Sequence, residues 1–324
     1  MLNRNAESLF WVGRYMERAE NHARLIDVHY HLQSEADHSA ADTEELQQRA
    51  AQRWIRIVDA LGCRSIYEQR YSGYTENDVL YYVTHDREHA NSLISCIQHA
   101  RGNLRTLREK VPTEMWDAIN TFYLWLRDKR QEELSGESPH QFYIRIKEWT
   151  ALFLGISQSV MPRENEWYFI ECGRYLERAE NTLRIIQSAV GAGGAEEQSS
   201  YSYLQALLKS VSGYQVFRRY YADGVSVEAI NEFLVLHPAF PRSVHFSLLE
   251  MHRHLSGIQF QDAQLKANHA RMIRQAGRMI AELSCMERED IGNGGEIVGE
   301  LLEDCQELGV AFAKTFFRLG EASA

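Results

Sequence analysis

The 324-residue chain lacks most of the marks of the specialised protein classes. No run approaches the about 18 uncharged residues that a membrane span needs. The apolar stretch near the amino end is soon broken by Arg14, Glu17, Arg18 and Glu20, unlike the core of a signal peptide. Cysteine is scarce: Cys63, Cys96, Cys172, Cys285 and Cys305 are odd in number, far apart and include no CxxC pair. That usage points to a reducing compartment and excludes a thiolate metal site, so a cytoplasmic protein is expected. Basic residues are outnumbered 35 to 45, for a formal net charge of -10. The chain therefore lacks the cationic excess on which nucleic-acid and anionic-membrane binding depend, and neither partner is expected. The five prolines (Pro112, Pro139, Pro162, Pro238 and Pro241) fall where amphipathic stretches begin or end and read as helix punctuation. No Gly-x-Gly-x-x-Gly, P-loop, Gly-x-Ser-x-Gly or His-Glu-x-x-His signature occurs, and no cofactor is implied.

Hydrophobic residues make up 44% and charged residues 25%, the balance of a globular protein, so a packed core is expected rather than disorder. Apolar residues recur three and four apart, as in Trp54, Ile57, Val58 and Leu61, in Phe122 and Leu126, and in Leu204, Leu207, Leu208 and Val211. This is helix periodicity. Strand-like alternation is short, and Asn293-Gly294 is flanked by glycine and charge rather than β-branched runs. The sequence predicts an all-α fold of about a dozen helices. Helix starts are expected at Ser138-Pro139 and Thr113-Glu114, with Ser or Thr as the N-cap. Loops are expected at Gly191–Gly194 and Gly292–Gly295.

A repeat organises the chain. Gly13-Arg14-Tyr15-Met16-Glu17-Arg18-Ala19-Glu20-Asn21 returns 160 residues later as Gly173-Arg174-Tyr175-Leu176-Glu177-Arg178-Ala179-Glu180-Asn181, and Arg24 and Ile26 return as Arg184 and Ile186. Downstream, Val79 to Ile97 aligns loosely with Ile230 to Leu248 at an offset of 151, pairing Ser92 with Ser243. The expected architecture is a pseudo-two-fold helical bundle of two diverged tandem repeats, residues 1–161 and 162–324, packed as one globular unit.

At about 100° per residue, Arg14, Glu17, Arg18, Glu20, Asn21 and Arg24 share one face of the repeated helix, and Val12, Met16, Ala19 and Ala23 supply an apolar stripe on the other. Solvated charges contribute little and substitute freely, yet this face is matched in both copies. It is therefore expected to pack against something. Two readings stay open. In one, the Glu-Arg faces meet as an ion network that sets helix register. In the other, Glu17 or Glu177 acts as an acid or base in a pocket whose ligand-binding residues are Arg14, Arg18, Glu20, Asn21, Arg174, Arg178, Glu180 and Asn181.

Arg101, Arg105 and Arg108, spaced i, i+4, i+7, project from one side of a helix beginning near Ser92, and the matching stretch Met251–Gly257 lacks that stripe. The stripe is the counter-charge for the carboxylates of the Glu-Arg helix, an anion clamp in the N-terminal half serving with that helix, or a solvated arginine face. His22, His29, His31 and Asp27 suggest metal ligands only weakly, because Glu17-x-x-Glu20 and Glu20-x-His22 miss the Glu-x-x-His of di-iron bundles. No metal is expected.

The words Phe10-Trp11-Val12-Gly13-Arg14-Tyr15-Met16-Glu17-Arg18-Ala19-Glu20, their second copy, and Ala100-Arg101-Gly102-Asn103-Leu104-Arg105-Thr106-Leu107-Arg108 with Trp116 and Asn120 resemble the bacterial alpha-E family. That family is an all-helical domain of unknown function, named for its Glu-Arg motif. Gly102 departs from the Glu that the family tends to have there. The resemblance implies genomic neighbours: circularly permuted ATP-grasp proteins and transglutaminase-like cysteine peptidases, in a predicted peptide-ligation or protein-tagging system. It thus implies an accessory helical subunit that binds the ligase or its peptide substrate. The alternative is an enzyme or ligand-binding protein acting on an amide, amino-acid or acyl-phosphate group through the Glu-Arg motif. Whether the chain is an enzyme stays open, as does homo-oligomerisation.

Overall fold

The computed structural model describes residues 3–36, 43–129, 139–191, 201–222, 224–292 and 294–317; of residues 3, 31–36, 43–50 and 190–191 only the backbone is described. Every regular element among them is helical. The first seven are α1 (Asn3–Ala36), α2 (Thr43–Ala60), α3 (Arg64–Glu68), α4 (Glu76–Thr84), α5 (Leu93–Arg105), α6 (Thr113–Asp128) and α7 (Pro139–Val160). The remainder are α8 (Asn165–Gly191), α9 (Tyr201–Ser210), α10 (Tyr214–Tyr220), α11 (Val227–Leu236), α12 (Val244–Gly257), α13 (Ala263–Cys285), α14 (Arg288–Ile291) and α15 (Gly295–Phe316).

Short polar side chains start these helices. Thr75, Ser92, Ser226 and Ser243 each accept a hydrogen bond from the backbone N–H three residues on, opening α4, α5, α11 and α12. Asp262 does the same for α13. Such a cap contributes about 1 kcal/mol by satisfying an otherwise orphaned donor. The start expected at Thr113 moves by one residue: Pro112 is the N-cap and Thr113 the first helical position, because the fixed ring of Pro112 suits the extended backbone before the helix. Pro139 opens α7, and Ser138 lies outside the described residues. Before α15, which Gly295 opens, Gly292 and Gly294 have φ of 51° and 82°, a region open to glycine at no steric cost. Of the other glycine loop, Gly191 ends α8 and residues 192–194 lie outside the described residues.

The two long helices carrying the repeated words, α1 and α8, pack against each other at the centre. Around α1 lie α5, α7 and α9; around α8 lie α12, α15 and α2. Helix α2 therefore packs on the long helix of the other half of the chain, and α9 does the same in return. Outside these, α6 covers α5 and α7, and α13 covers α12 and α15. Buried apolar side chains from Ala6 to Phe317 form one continuous cluster. Leu9, Val12, Met16 and Ala19 of α1, and Ile170, Leu176, Ala179 and Leu183 of α8, are fully enclosed. The polar faces of the same helices are largely buried as well, which is where the unusual chemistry lies.

Candidate functional site

Glycine sets how closely α1 and α8 approach. A Cβ placed on Gly13 would lie 2.0 Å from the Ile170 carbonyl oxygen, and one on Gly173 would lie 2.0 Å from that of Phe10. Backbone meets backbone at both points, as only the absence of a side chain permits. This approach brings the polar faces beyond the crossing within reach of one another.

Glu17 and Arg178 pair across the crossing through two hydrogen bonds, Nε to Oε1 at 2.7 Å and Nη2 to Oε2 at 2.6 Å. Arg18 makes the reciprocal fork on Glu177, with Nε donating to Oε1 at 2.7 Å and Nη2 to Oε2 at 3.0 Å. Planar guanidinium and carboxylate groups suit each other in this two-bond arrangement. One turn on, Arg24 donates to Glu20 and Arg184 to Glu180, each within its own helix.

A third arginine joins each group, and here the two groups differ. Arg14 donates to both Glu177 and Glu180, at 2.7 and 2.8 Å. For Glu17 and Glu20 that bridging role falls to Arg242, at 3.3 and 2.5 Å, from the residue just before the N-cap of α12. Arg174 turns away and pairs with Glu171, three residues earlier on its own helix. Each of the four carboxylates thus accepts from two guanidinium groups. Asn91, the residue before the N-cap Ser92, accepts from Arg18, and Arg178 also donates to the Pro241 carbonyl.

Glu17 and Glu177 are wholly enclosed. Burial alone would raise the Glu177 carboxyl, but Arg18 and Arg14 override it and hold it far below the usual carboxylate range. Glu20 is likewise brought to about 2, with burial opposed by Arg242, Arg24 and Arg178. Asn21 and Asn181 are also buried, and the side-chain Nδ2 of each has no hydrogen-bond partner among the described residues.

The structure therefore gathers Arg14, Glu17, Arg18, Glu20, Asn21, Arg178, Glu177, Glu180 and Asn181 on the two packed helices, with Arg174 on their margin. It does not bring in the second arginine stripe. Arg101 donates to Asn120 and lies over the rings of Trp116 and Tyr123; Arg108 lies over Trp116; Arg105 is exposed. Arg101 and Arg108 pack on aromatic rings of α6 and Arg105 is exposed, so the stripe is not the counter-charge of the carboxylates. The carboxylates of the network take their cations from elsewhere.

Arg242 and Glu171 escaped the reading of the sequence. Arg242 carried a usable signal, since it precedes Ser243 as Asn91 precedes Ser92. Glu171 sits at the place of Trp11 in the other copy, so the comparison of copies hid it. Among the weak metal candidates, Asp27 accepts from His140 and Lys147. His22 and His29 are buried, and burial with nearby Arg18 and Arg56 respectively pushes their pKa values down to about 3 and about 4. The His31 side chain lies outside the described residues. No group of three or more metal-ligating side chains is placed to hold an ion among the described residues.

Comparison with known proteins places this geometry in a family. The Alpha-E pattern, described as a predicted alpha-helical domain with a conserved ER motif, matches residues 1–317. The chain belongs to the Alpha-E family. In this Alpha-E chain the two Glu-Arg dipeptides, Glu17-Arg18 and Glu177-Arg178, are the residues that exchange forks across the helix crossing. It is similar to uncharacterized proteins of Mycobacterium bovis and Mycobacterium tuberculosis, each 24% identical over 250 residues, covering 74% of this chain. The chain spans 28% of the length of these relatives. No solved structure matches the chain. No helix among the described residues is long and apolar enough to cross a membrane.

Proposed function

We propose that this Alpha-E chain is a non-catalytic helical scaffold: a cytoplasmic accessory subunit that docks the ligase, or the peptide substrate, of an ATP-grasp and transglutaminase-like peptide-modification system. The observation that carries this reading is the saturation of the Glu-Arg network. A general acid must hold a proton at working pH and reach its substrate. Glu177 is held ionised by Arg18 and Arg14, and both Glu17 and Glu177 are closed off from solvent behind two-bond arginine forks. Such a network fixes the register of α1 against α8 and leaves little room for the alternative, an enzyme or ligand-binding protein that works through the same motif on an amide, amino-acid or acyl-phosphate group. The mycobacterial relatives, of which this unit makes up 28%, fit a module that works joined to or beside other machinery.

The scaffold is read as two diverged copies of one unit, residues 1–161 and 162–324, related by an approximate two-fold axis. In support, α4 and α11 begin 151 residues apart, as do α5 and α12, each behind a Ser or Thr cap. The mutual packing of α2 on α8 and α9 on α1 argues against halves that fold alone.

Co-purification and calorimetry with the ATP-grasp and transglutaminase-like proteins of the proposed system test the reading. A stable complex with one of them is expected; failure to bind either would overturn it. In a reconstituted system Glu17→Gln is expected to lower the melting temperature sharply. Loss of turnover with the melting temperature unchanged would favour the enzymatic alternative.

A further inference from the structure

We infer that the second half carries a binding cleft between α8 and α12 for the ammonium and carboxylate groups of a free α-amino acid. The cleft has a volume of 330 Å³, at the small end of ligand-sized sites. None of the four fork residues lines it, although Arg178 lies 5.3 Å from the ring centroid of Tyr175; it borders the pair formed by Arg174 and Glu171, and it goes beyond the scaffold reading without depending on it.

His254 is the centre of the cleft. It is 5% exposed yet lines the cavity, with its ring stacked on Tyr175 at a centroid distance of 5.7 Å. Its Nε2 lies 3.6 Å from a Glu250 oxygen and 3.8 Å from a Glu171 oxygen, too far for a hydrogen bond. Two other imidazoles of this half are satisfied, His245 on the Leu236 carbonyl and His269 on that of Leu255. His254 has no such bond among the described residues. Burial, with Arg253, Arg174 and Arg163 nearby, keeps its pKa down at about 4, so at neutral pH the imidazole can offer a lone pair.

Three acceptors therefore converge: the imidazole of His254 and the carboxylates of Glu250 and Glu171. An ammonium group has three donors to distribute, and Tyr168, the one ring among Trp167, Tyr168 and Tyr175 with no arginine over it, adds an aromatic face that favours a cation. The cleft also holds the complementary charge. Arg163 is pinned over Trp167 at 3.8 Å and anchored on the Gln158 and Met161 carbonyls. Arg253 donates through Nη1 to Glu250, which leaves its other donors for a carboxylate. Mixed charge in so small a volume matches a zwitterion better than a simple cation or anion. A metal suits it less, because Arg174 already neutralises the Glu171 carboxylate, whereas each of its oxygens keeps a further lone pair for an ammonium donor. The first half offers no equivalent: Trp11 stands where the repeat has Glu171, and the ring of Tyr15 is stacked on His99.

Calorimetry of the full chain at neutral pH with glycine, L-alanine and L-glutamine, each against its N-acetyl and amide forms, tests the inference. Saturable binding of at least one free amino acid is expected, weakened at least tenfold when either end is capped. Glu250→Gln should weaken the free amino acid at least tenfold. Arg253→Gln, at a largely exposed side chain, should weaken the free amino acid while leaving the residual affinity for its amide unchanged. His99→Gln should leave binding unaltered. No saturable binding by any of the three, or equal binding of free and capped forms, would overturn the inference. A chain that binds amino acids but captures neither protein of the proposed system loses only the scaffold reading, and the converse result loses only this cleft.

Discussion

Gly13 and Gly173 stand at reciprocal points of one helix crossing, each facing the backbone of the other's helix so closely that a Cβ on either would overlap a carbonyl oxygen at 2.0 Å. The obstacle is main chain, which cannot rotate aside, so α1 and α8 would have to separate along their length. Gly13→Ala or Gly173→Ala should cost about 3 kcal/mol or more, at the upper end of overpacking effects. Gly102 and Gly155, inside α5 and α7, would meet nothing within 4 Å of a new Cβ. There the same change should stabilise by about 0.5–1 kcal/mol through helix propensity. Urea unfolding of the four variants reads the sign directly, and uniform small effects would contradict the close crossing.

The forks of Glu17 with Arg178 and Glu177 with Arg18 are buried ion pairs, so removing one partner strands a charge. Glu17→Gln and Arg178→Gln should each destabilise by about 3–5 kcal/mol, and the double variant should cost much less than their sum because no lone charge is left. Arg242→Gln should behave like a fork residue, since it bridges Glu17 and Glu20. A double-mutant cycle measured by denaturant unfolding checks both points. Additive effects would show that the groups do not pair.

How much of this was legible depends on which comparison within the chain was available. The matched polar face of the two nine-residue words implied packing, because free surface charge would have drifted, and the buried forks answer to that. The helical class followed from apolar spacing at Trp54, Ile57, Val58 and Leu61, which lie in or just beyond α2. Partner choice was not legible. Arg14 and Arg174 occupy equal places in the repeat, but an arginine at 242 where the other copy has Asn91, and a glutamate at 171 where it has Trp11, redirect them. A helical wheel gives the face on which a side chain lies and not the neighbouring element that meets it. Arg101, Arg105 and Arg108 show the same limit, since periodicity put them on one side without saying that α6 lay there.

That stripe gives a contrasting set of substitutions. Arg105 is exposed, so Arg105→Ala should change stability by no more than about 0.5 kcal/mol. Arg101→Ala removes a hydrogen bond to Asn120 and stacking on two rings and should cost about 1 kcal/mol. Neither should alter the unfolding of the crossing variants when combined with them. A loss comparable to Arg178→Gln at either position would mean that the stripe takes part in the central network.

Acid should act on the buried histidines before it reaches the carboxylates. His22 and His29 have pKa values pushed down by burial to about 3 and about 4, against an unfolded value near 6.5. Between about 6.5 and 4 the unfolded chain binds protons on these rings and the native chain does not, so stability falls as pH falls through that window. His29 alone accounts for on the order of 3 kcal/mol. Glu20, held at about 2, acts lower down: its contribution is whole above the unfolded carboxylate value of about 4.3 and is lost as pH drops towards 2. The melting temperature should therefore be level above pH 7, begin to decline below about 6.5, and continue to fall below about 4 as the carboxylates take over. His29→Leu should make the upper part of that decline shallower, with His22 still contributing, and leave the lower part in place. A melting temperature constant from pH 7 to 5 in the parent chain would show that these imidazoles are not buried in their neutral form.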